Sequence, residues 1–201
     1  LSLQVSRHYA KNHGPVLFYD RENGKQRLRL RSICQELELS EVDLIIKLKK
    51  GELTNSQIDS IFSTPFYLLN GEGLDDIKKD IDFALRSHHR PVLLVLDSLQ
   101  KLPINLQERR DSLDQWLYGL DQLKVNYEQD LRILFTSEKN YKGYNSPELG
   151  GSKDSNEIEY TAENIWDLRL GKGNVILHVA KDRDGAQGFE MSLEKVMTDP
   201  N

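Results

Sequence analysis

The chain has 201 residues, 27 basic and 32 acidic, with a formal net charge of −5. This length fits one compact domain, and the charge excludes a generally basic protein that coats nucleic acid. A single cysteine excludes an internal disulfide and a cysteine-rich zinc site and fits a reducing cytoplasm, where we expect the protein. The longest apolar run, residues 92–96, is too short to cross a membrane, so no membrane partner is expected.

Hydrophobic periodicity and turn residues divide the first two-thirds of the chain into alternating helices and strands. The predicted elements, in chain order, are a helix that ends at Gly14-Pro15, a strand over 16–19, a helix over 26–37, one or two short helices within 40–62, a strand over 66–69, a helix over 74–85, a strand over 92–96, a helix over 110–127 and a strand over 131–136.

The last third of the chain has a different pattern. A polar segment, residues 137–156, predicts a long loop, and three short strands follow, joined by hairpin turns at 172–173 and 184–185. Strands that alternate with helices predict a mostly parallel α/β sheet flanked by helices, and the hairpins predict antiparallel strands at its C-terminal edge. We expect one domain over residues 1–201.

Asp97 ends the clearest predicted strand, Val92–Leu96, and is followed by Ser98. Five apolar residues ending in an aspartate have the form of a Walker B strand. Such a strand brings a carboxylate to the C-terminal edge of a parallel sheet, where it holds the magnesium ion of a nucleotide. The alternative is that Asp97 caps the following helix, and the strand by itself favours neither.

Glu22 lies in a polar turn directly after the strand over 16–19. A carboxylate there reaches the same sheet edge as Asp97 if the two strands are neighbours, and it is suited to activating water. The alternative, favoured for Glu22 considered alone, is that Asp20 and Glu22 stabilise the N-terminus of the next helix.

Lys181 and Arg183 are two cations on one face of a strand end. They suit phosphate oxygens, including those of a nucleotide in a neighbouring subunit, although a solvated hairpin tip is the simpler interpretation. In the polar loop, Lys139, Tyr141, Lys142 and Tyr144 are weak candidates for DNA binding and base stacking. The Gly-x-x-x-x-Gly-Lys-Ser/Thr phosphate-binding pattern is absent from the sequence.

The order of these segments resembles the C-terminal ATPase domain of DnaB-type replicative helicases, within the wider RecA-like group of P-loop NTPases. Five segments carry the resemblance: the helix and strand ending in the turn with Glu22, the helix from Gln26, the Asp97 strand with its Leu-Gln pair, the 157–163 segment, and the Lys-x-Arg-x-Gly tip at 181–185.

The resemblance implies roles for individual residues. Asp97 would act on magnesium and Glu22 would activate water in ATP hydrolysis. Arg183 with Lys181 would reach the nucleotide of an adjacent subunit, which implies a homo-oligomeric ring, usually a hexamer. Ser137 and Glu138 take the place of a Ser-Gln pair whose glutamine senses the γ-phosphate. The loop over 139–152 would face a central channel and contact single-stranded DNA.

Three departures from the pattern keep other functions open. Residue 1 aligns just after the family's phosphate-binding loop, so we expect that loop to precede it in the natural protein. Glu138 replaces the sensing glutamine, and the channel loop is weakly basic. The leading expectation is a DNA helicase motor. The alternatives are a RecA- or KaiC-like regulatory or loader ATPase without unwinding activity, and an assembly module that binds no nucleotide.

Overall fold

The structure is a computed structural model that describes residues 1–71, 73–103, 109–138, 157–171, 174–183, 185 and 188–193. The predicted helices and strands are confirmed, with ends that differ by a few residues. The helices are α1 (Ser2–Asn12), α2 (Lys25–Leu37), α3 (Glu41–Lys49), α4 (Asn55–Ile61), α5 (Leu74–His88), α6 (Arg109–Tyr127) and α7 (Glu157–Thr161). The strands are β1 (Val16–Asp20), β2 (Phe66–Leu69), β3 (Val92–Asp97), β4 (Leu131–Phe135), β5 (Asn164–Leu170), β6 (Val175–Asp182) and β7 (Glu190–Leu193).

A four-stranded parallel sheet, in the order β2-β1-β3-β4, forms the centre of the first part of the chain. Its two inner strands are apolar along almost their whole length, as is typical of strands covered on both faces. Phe18 and Val95 are fully buried and pack in one cluster with Ala10 of α1 and Leu28 of α2. The predicted mostly parallel α/β fold is therefore confirmed.

Gly14 explains how the chain enters this sheet. A Cβ atom at this position would lie 2.3 Å from the carbonyl oxygen of Pro91, so the backbone that leads into β1 runs directly against the residue that precedes β3. The Leu93 N–H also donates to the Pro15 carbonyl over 2.9 Å. The starting ends of β1 and β3 are thus held together, which fixes the register of the two strands.

The segment between α2 and β2 contains two short helices with polar N-caps. The Ser40 side chain accepts a hydrogen bond from the Asp43 N–H at the start of α3. Thr54 and Gln57 form a reciprocal capping box at the start of α4. Two short helices therefore form within the predicted range 40–62, and Thr54 separates them because its side chain satisfies a backbone donor at the start of α4.

The late strands form a three-stranded antiparallel sheet in the order β5-β6-β7. The predicted antiparallel pairing is confirmed, in a sheet separate from the parallel one. Asp167 and His178 lie opposite each other in this sheet and are nearly buried, and Arg169 donates to His178 Nδ1 over 3.0 Å. Arg169 also forms ion pairs with Asp167 and Glu190 at 3.4 Å, and the first of these pairs offsets the cost of burying the Asp167 carboxylate.

The chain divides into two compact units. One contains the four-stranded sheet and comprises Leu1–Pro103 and Gly119–Thr136; the other comprises Ile104–Tyr118 and Ser137–Met197 and contains the three-stranded sheet. Within the described ranges, no helix combines the length and the apolar character needed to cross a bilayer.

Candidate functional site

The ladder between β1 and β3 brings the two candidate carboxylates to one edge of the parallel sheet. Asp20, the last residue of β1, pairs in register with Asp97, the last residue of β3. One residue further, the Arg21 N–H donates to the Asp97 carbonyl over 2.8 Å. Glu22 follows directly, so the condition on which its expected position near Asp97 depended, that the two strands are neighbours, is met.

The turn that carries Glu22 is organised by the carboxylate of Asp20. This carboxylate accepts hydrogen bonds from the backbone N–H groups of Glu22, Asn23 and Gly24 and from the Asn23 amide. Helix α2 begins only at Lys25, with Gly24 as its N-cap and no acidic residue in its first turn. Asp20 therefore shapes the turn and leaves the Glu22 side chain exposed at the sheet edge.

Arg21 anchors the same turn to the neighbouring strand. Its guanidinium donates to the Gly71 carbonyl, which lies beyond the end of β2. Tyr19, two residues earlier, donates to Asp80 over 2.6 Å, and burial together with that carboxylate raises the pKa of the Tyr19 hydroxyl well above its ordinary value. The end of β1 is therefore fixed from both sides.

Asp97 accepts a hydroxyl hydrogen bond on each carboxylate oxygen. Ser2, in the first turn of α1, donates to Oδ2 over 3.1 Å, and Thr136, just after β4, donates to Oδ1 over 2.5 Å. The 3-10 turn that follows has Ser98 as its N-cap, without a side-chain capping bond. The Asp97 side chain thus faces α1 and β4, and the interpretation of Asp97 as a helix cap is not supported by these contacts.

Glu22 is connected to the β3 end by Ser98. The Ser98 hydroxyl donates to Glu22 Oε1 over 3.0 Å, although the two residues lie 76 positions apart in the chain. Ser98 is 4% exposed, so one partner of this bond is fixed within the protein. The peptide bond between Asp97 and Ser98 is cis.

The oxygen atoms at this edge are suited to magnesium. Mg²⁺ prefers carboxylate, hydroxyl and water oxygens and is often held by one or two carboxylates together with substrate phosphates. Asp97, with the hydroxyls of Ser2 and Thr136 beside it, offers such donors. Over the residues that the structure describes, no cluster of three or more His, Cys, Asp or Glu could form a metal site from protein ligands alone. The Asp97 carboxylate and the two hydroxyls beside it are oxygen groups that fit a magnesium ion whose other ligands are phosphate and water oxygens.

Ser137 and Glu138 directly follow Thr136 in the chain. The Ser137 hydroxyl lies 3.5 Å from the Glu138 carbonyl oxygen, and the Glu138 side chain is exposed. Their expected position after the fourth parallel strand is confirmed. Their role in sensing a phosphate stays a prediction.

Lys181 and Arg183 both contact the carbonyl end of α7. The Lys181 ammonium donates to the carbonyls of Glu159 and Ala162 over 2.5 and 2.6 Å, and burial, with the nearby Arg183, lowers its pKa. Arg183 is exposed, and one of its amino groups donates to the Tyr160 carbonyl over 3.2 Å. Lys181 thus bonds two carbonyls at the end of α7 with a partly buried ammonium, whereas Arg183 is exposed and bonds one.

The candidates for DNA contact, Lys139, Tyr141, Lys142 and Tyr144, lie outside the described residues. Ser2, Ser98 and Thr136 were missed by the sequence analysis. Serine and threonine are common at helix starts and strand ends, so their types give no signal of a carboxylate partner. Only the spacing of Ser98, one residue after Asp97, pointed to this place in the fold.

Comparison with known proteins gives a consistent result for the fold. No protein-family model and no curated protein matches the chain. Among solved structures, the chain is similar to one described as an ATPase domain, with a TM-score of 0.82 and 17% sequence identity over 97% of this chain and 76% of that one.

A second similar structure is a DnaB-like replicative helicase, described together with its interactions with primase. Its TM-score is 0.81 and its identity 19%, over 98% of this chain and 52% of that chain. The present sequence thus spans about half the length of that helicase. At these identities the likeness establishes the architecture. The chain therefore has the α/β, RecA-like fold of the ATPase domains of DnaB-like replicative helicases.

Proposed function

We propose that the chain is the ATP-hydrolysing motor domain of a DnaB-like DNA helicase, in which magnesium-dependent hydrolysis is coupled to movement along single-stranded DNA. The observation that carries the proposal is the position of Glu22 and Asp97 at the ends of adjacent parallel strands in this fold. Ligands of open α/β sheets bind at that edge.

In this proposal, each of the candidate site residues has a separate role in ATP hydrolysis. Asp97, held by Ser2 and Thr136, would orient the magnesium-bound phosphates, and the ion when bound supplies positive charge against the phosphate oxygens. Glu22 would accept a hydrogen bond from the attacking water and take its proton. Arg183 would stabilise charge on a phosphate bound by the adjacent subunit of a homo-oligomeric ring, with Lys181 holding the strand end on which Arg183 sits.

The first experiment measures ATP hydrolysis by the complete natural gene product, with and without single-stranded DNA. We expect Glu22→Gln to keep ATP binding and to lower kcat by about 10² to 10⁴-fold, because it removes a proton acceptor and keeps the side-chain shape. Lys25→Gln, a charge change at the start of α2, is the matched control. Equal turnover in the Glu22 variant and the wild type would remove Glu22 from the mechanism.

The second candidate is a RecA- or KaiC-like regulatory or loader ATPase. Glu138 favours it, because a carboxylate in place of the family's glutamine repels a γ-phosphate. A strand-displacement assay distinguishes the two functions: ATP hydrolysis that DNA stimulates without unwinding supports the regulatory ATPase. A complete protein that neither binds nor hydrolyses ATP supports a non-catalytic assembly module instead.

A further inference from the structure

We propose that Ser98 is a positioning residue that holds the carboxylate of Glu22 for attack by water. The inference rests on the proposed ATPase function and adds to it a residue that the fold comparison does not supply. It is carried by the 3.0 Å hydrogen bond from Ser98 Oγ to Glu22 Oε1 and by the unequal exposure of the two partners.

Glu22 alone is poorly fixed. Its side chain is exposed and belongs to a turn outside the regular strand, so solvent leaves its torsions free. The Asp20 carboxylate fixes the backbone of the turn through the N–H groups of residues 22 to 24, but it does not orient the Glu22 side chain. A second anchor is therefore needed to hold the carboxylate in one direction.

Ser98 is well fixed. It is 4% exposed and lies between two residues whose backbones are bonded to residues just beyond the ends of β1 and β4. The Asp97 carbonyl accepts from Arg21 N–H over 2.8 Å, and Leu99 N–H donates to the Thr136 carbonyl over 3.0 Å. The backbone bonds on both sides of Ser98 thus fix the position of its hydroxyl, and the hydrogen bond from this hydroxyl orients the Glu22 carboxylate.

The geometry also assigns different tasks to the two oxygens of Glu22. Ser98 donates its only hydroxyl proton to Oε1, and a carboxylate has further lone pairs on Oε2. Oε2 is then the atom that takes the proton from water, while Oε1 stays held. Because Ser98 directly follows Asp97, the same bond sets the distance between the Asp97 carboxylate, which would hold magnesium, and the Glu22 carboxylate, which would activate water.

The test uses the complete natural protein and compares Ser98→Ala, Ser98→Thr, Glu22→Asp and the Ser98→Ala/Glu22→Asp double variant. Ser32→Ala is the matched control, because Ser32 is also buried but lies on α2. We expect Ser98→Ala to lower kcat about tenfold with KM for ATP changed by less than about twofold, and Ser98→Thr, which keeps the hydroxyl, to restore most of the rate.

In the Glu22→Asp background, the shortened side chain does not reach Ser98, so Ser98→Ala should change kcat by less than about twofold. Equal loss in both backgrounds would mean that Ser98 acts on something other than Glu22 and would overturn the inference. A wild-type rate in Ser98→Ala, or a fall in its thermal midpoint that accounts for the lost rate, would also overturn it. If the wild-type protein itself hydrolyses no ATP, the proposed function fails first and this inference fails with it.

Discussion

Arg7 is a charged residue that the fold buries completely. It lies on α1 and is 2% exposed. Its guanidinium donates to the Ile61 carbonyl, lies 3.7 Å from Glu36 and stacks near the ring of Phe66 at 5.5 Å. Burial lowers the pKa of this guanidinium, and Glu36 opposes that effect. Arg7 thus joins α1 to α2 and to the end of α4.

Arg7→Ala should lower the free energy of unfolding by about 2 to 5 kcal/mol, because it removes a buried side chain that bonds the Ile61 carbonyl and leaves a cavity. Urea unfolding followed by circular dichroism measures this loss. Lys11→Ala is the control, since Lys11 pairs with the same Glu36 from an exposed position. The control should lower the free energy of unfolding by less than about 1 kcal/mol. Equal losses in the two variants would contradict the interpretation of Arg7 as a buried residue that links α1 to α2 and α4.

At the scale of elements, Tyr127 joins α6 to α5. Its hydroxyl donates to Asp82 Oδ1 over 2.6 Å, and burial together with that bond raises the pKa of Tyr127 to about 12. A raised pKa in the folded state means that folding favours the neutral phenol. The bond therefore stabilises the fold fully below the unfolded pKa near 10 and loses its effect as the pH rises from about 10 to about 12.

Wild-type stability should therefore fall more between pH 9 and pH 12 than the stability of Tyr127→Phe, which has no phenol to ionise. The difference should be below about 1 kcal/mol, because the ring is partly exposed to water. Urea unfolding at both pH values checks this. Tyr118→Phe is the control, since Tyr118 is 68% exposed on the same helix. A parallel fall in wild type and Tyr127→Phe would show that the Tyr127–Asp82 bond does not contribute.

At the scale of the whole molecule, the proposed ring requires that Glu22 and Arg183 act on one nucleotide from different subunits. Glu22→Gln and Arg183→Ala proteins should each be nearly inactive. When the two are dissociated, mixed in equal amounts and reassembled, about a quarter of the interfaces pair an intact Glu22 with an intact Arg183. ATP hydrolysis should therefore recover in the mixture. Mass measurement verifies that mixed rings have formed. If such rings do not recover ATP hydrolysis, either both residues act on a nucleotide within one subunit or Arg183 takes no part in hydrolysis.

Much of this arrangement could be predicted from the sequence. The run Val92–Leu96 predicted a buried parallel strand because it has no polar face. The rule that parallel strands end at one edge brought Glu22 near Asp97 on the condition that their strands are neighbours, and the pairing of β1 with β3 meets that condition. The hydrogen-bond partners of individual side chains could be predicted less well from the sequence. For Lys181 the sequence left a phosphate-binding cation and a solvated hairpin tip open and gave no sign that its ammonium bonds two carbonyls at the end of α7; its role toward a phosphate stays a prediction. Arg7 gave no signal because arginine is usually exposed.

The register between Asp20 and Asp97 has an evolutionary consequence. Side chains alternate between the two faces of a strand. Inserting or deleting one residue within 16–22 or 92–98 would therefore shift the register and turn the carboxylates at one strand end away from those at the other. The connection between α3 and α4, residues 50–54, is under no such constraint, since it is largely exposed and the two helices are separately capped. Descendants of this chain should therefore vary in length within residues 50–54 while keeping the two strand ends at constant length.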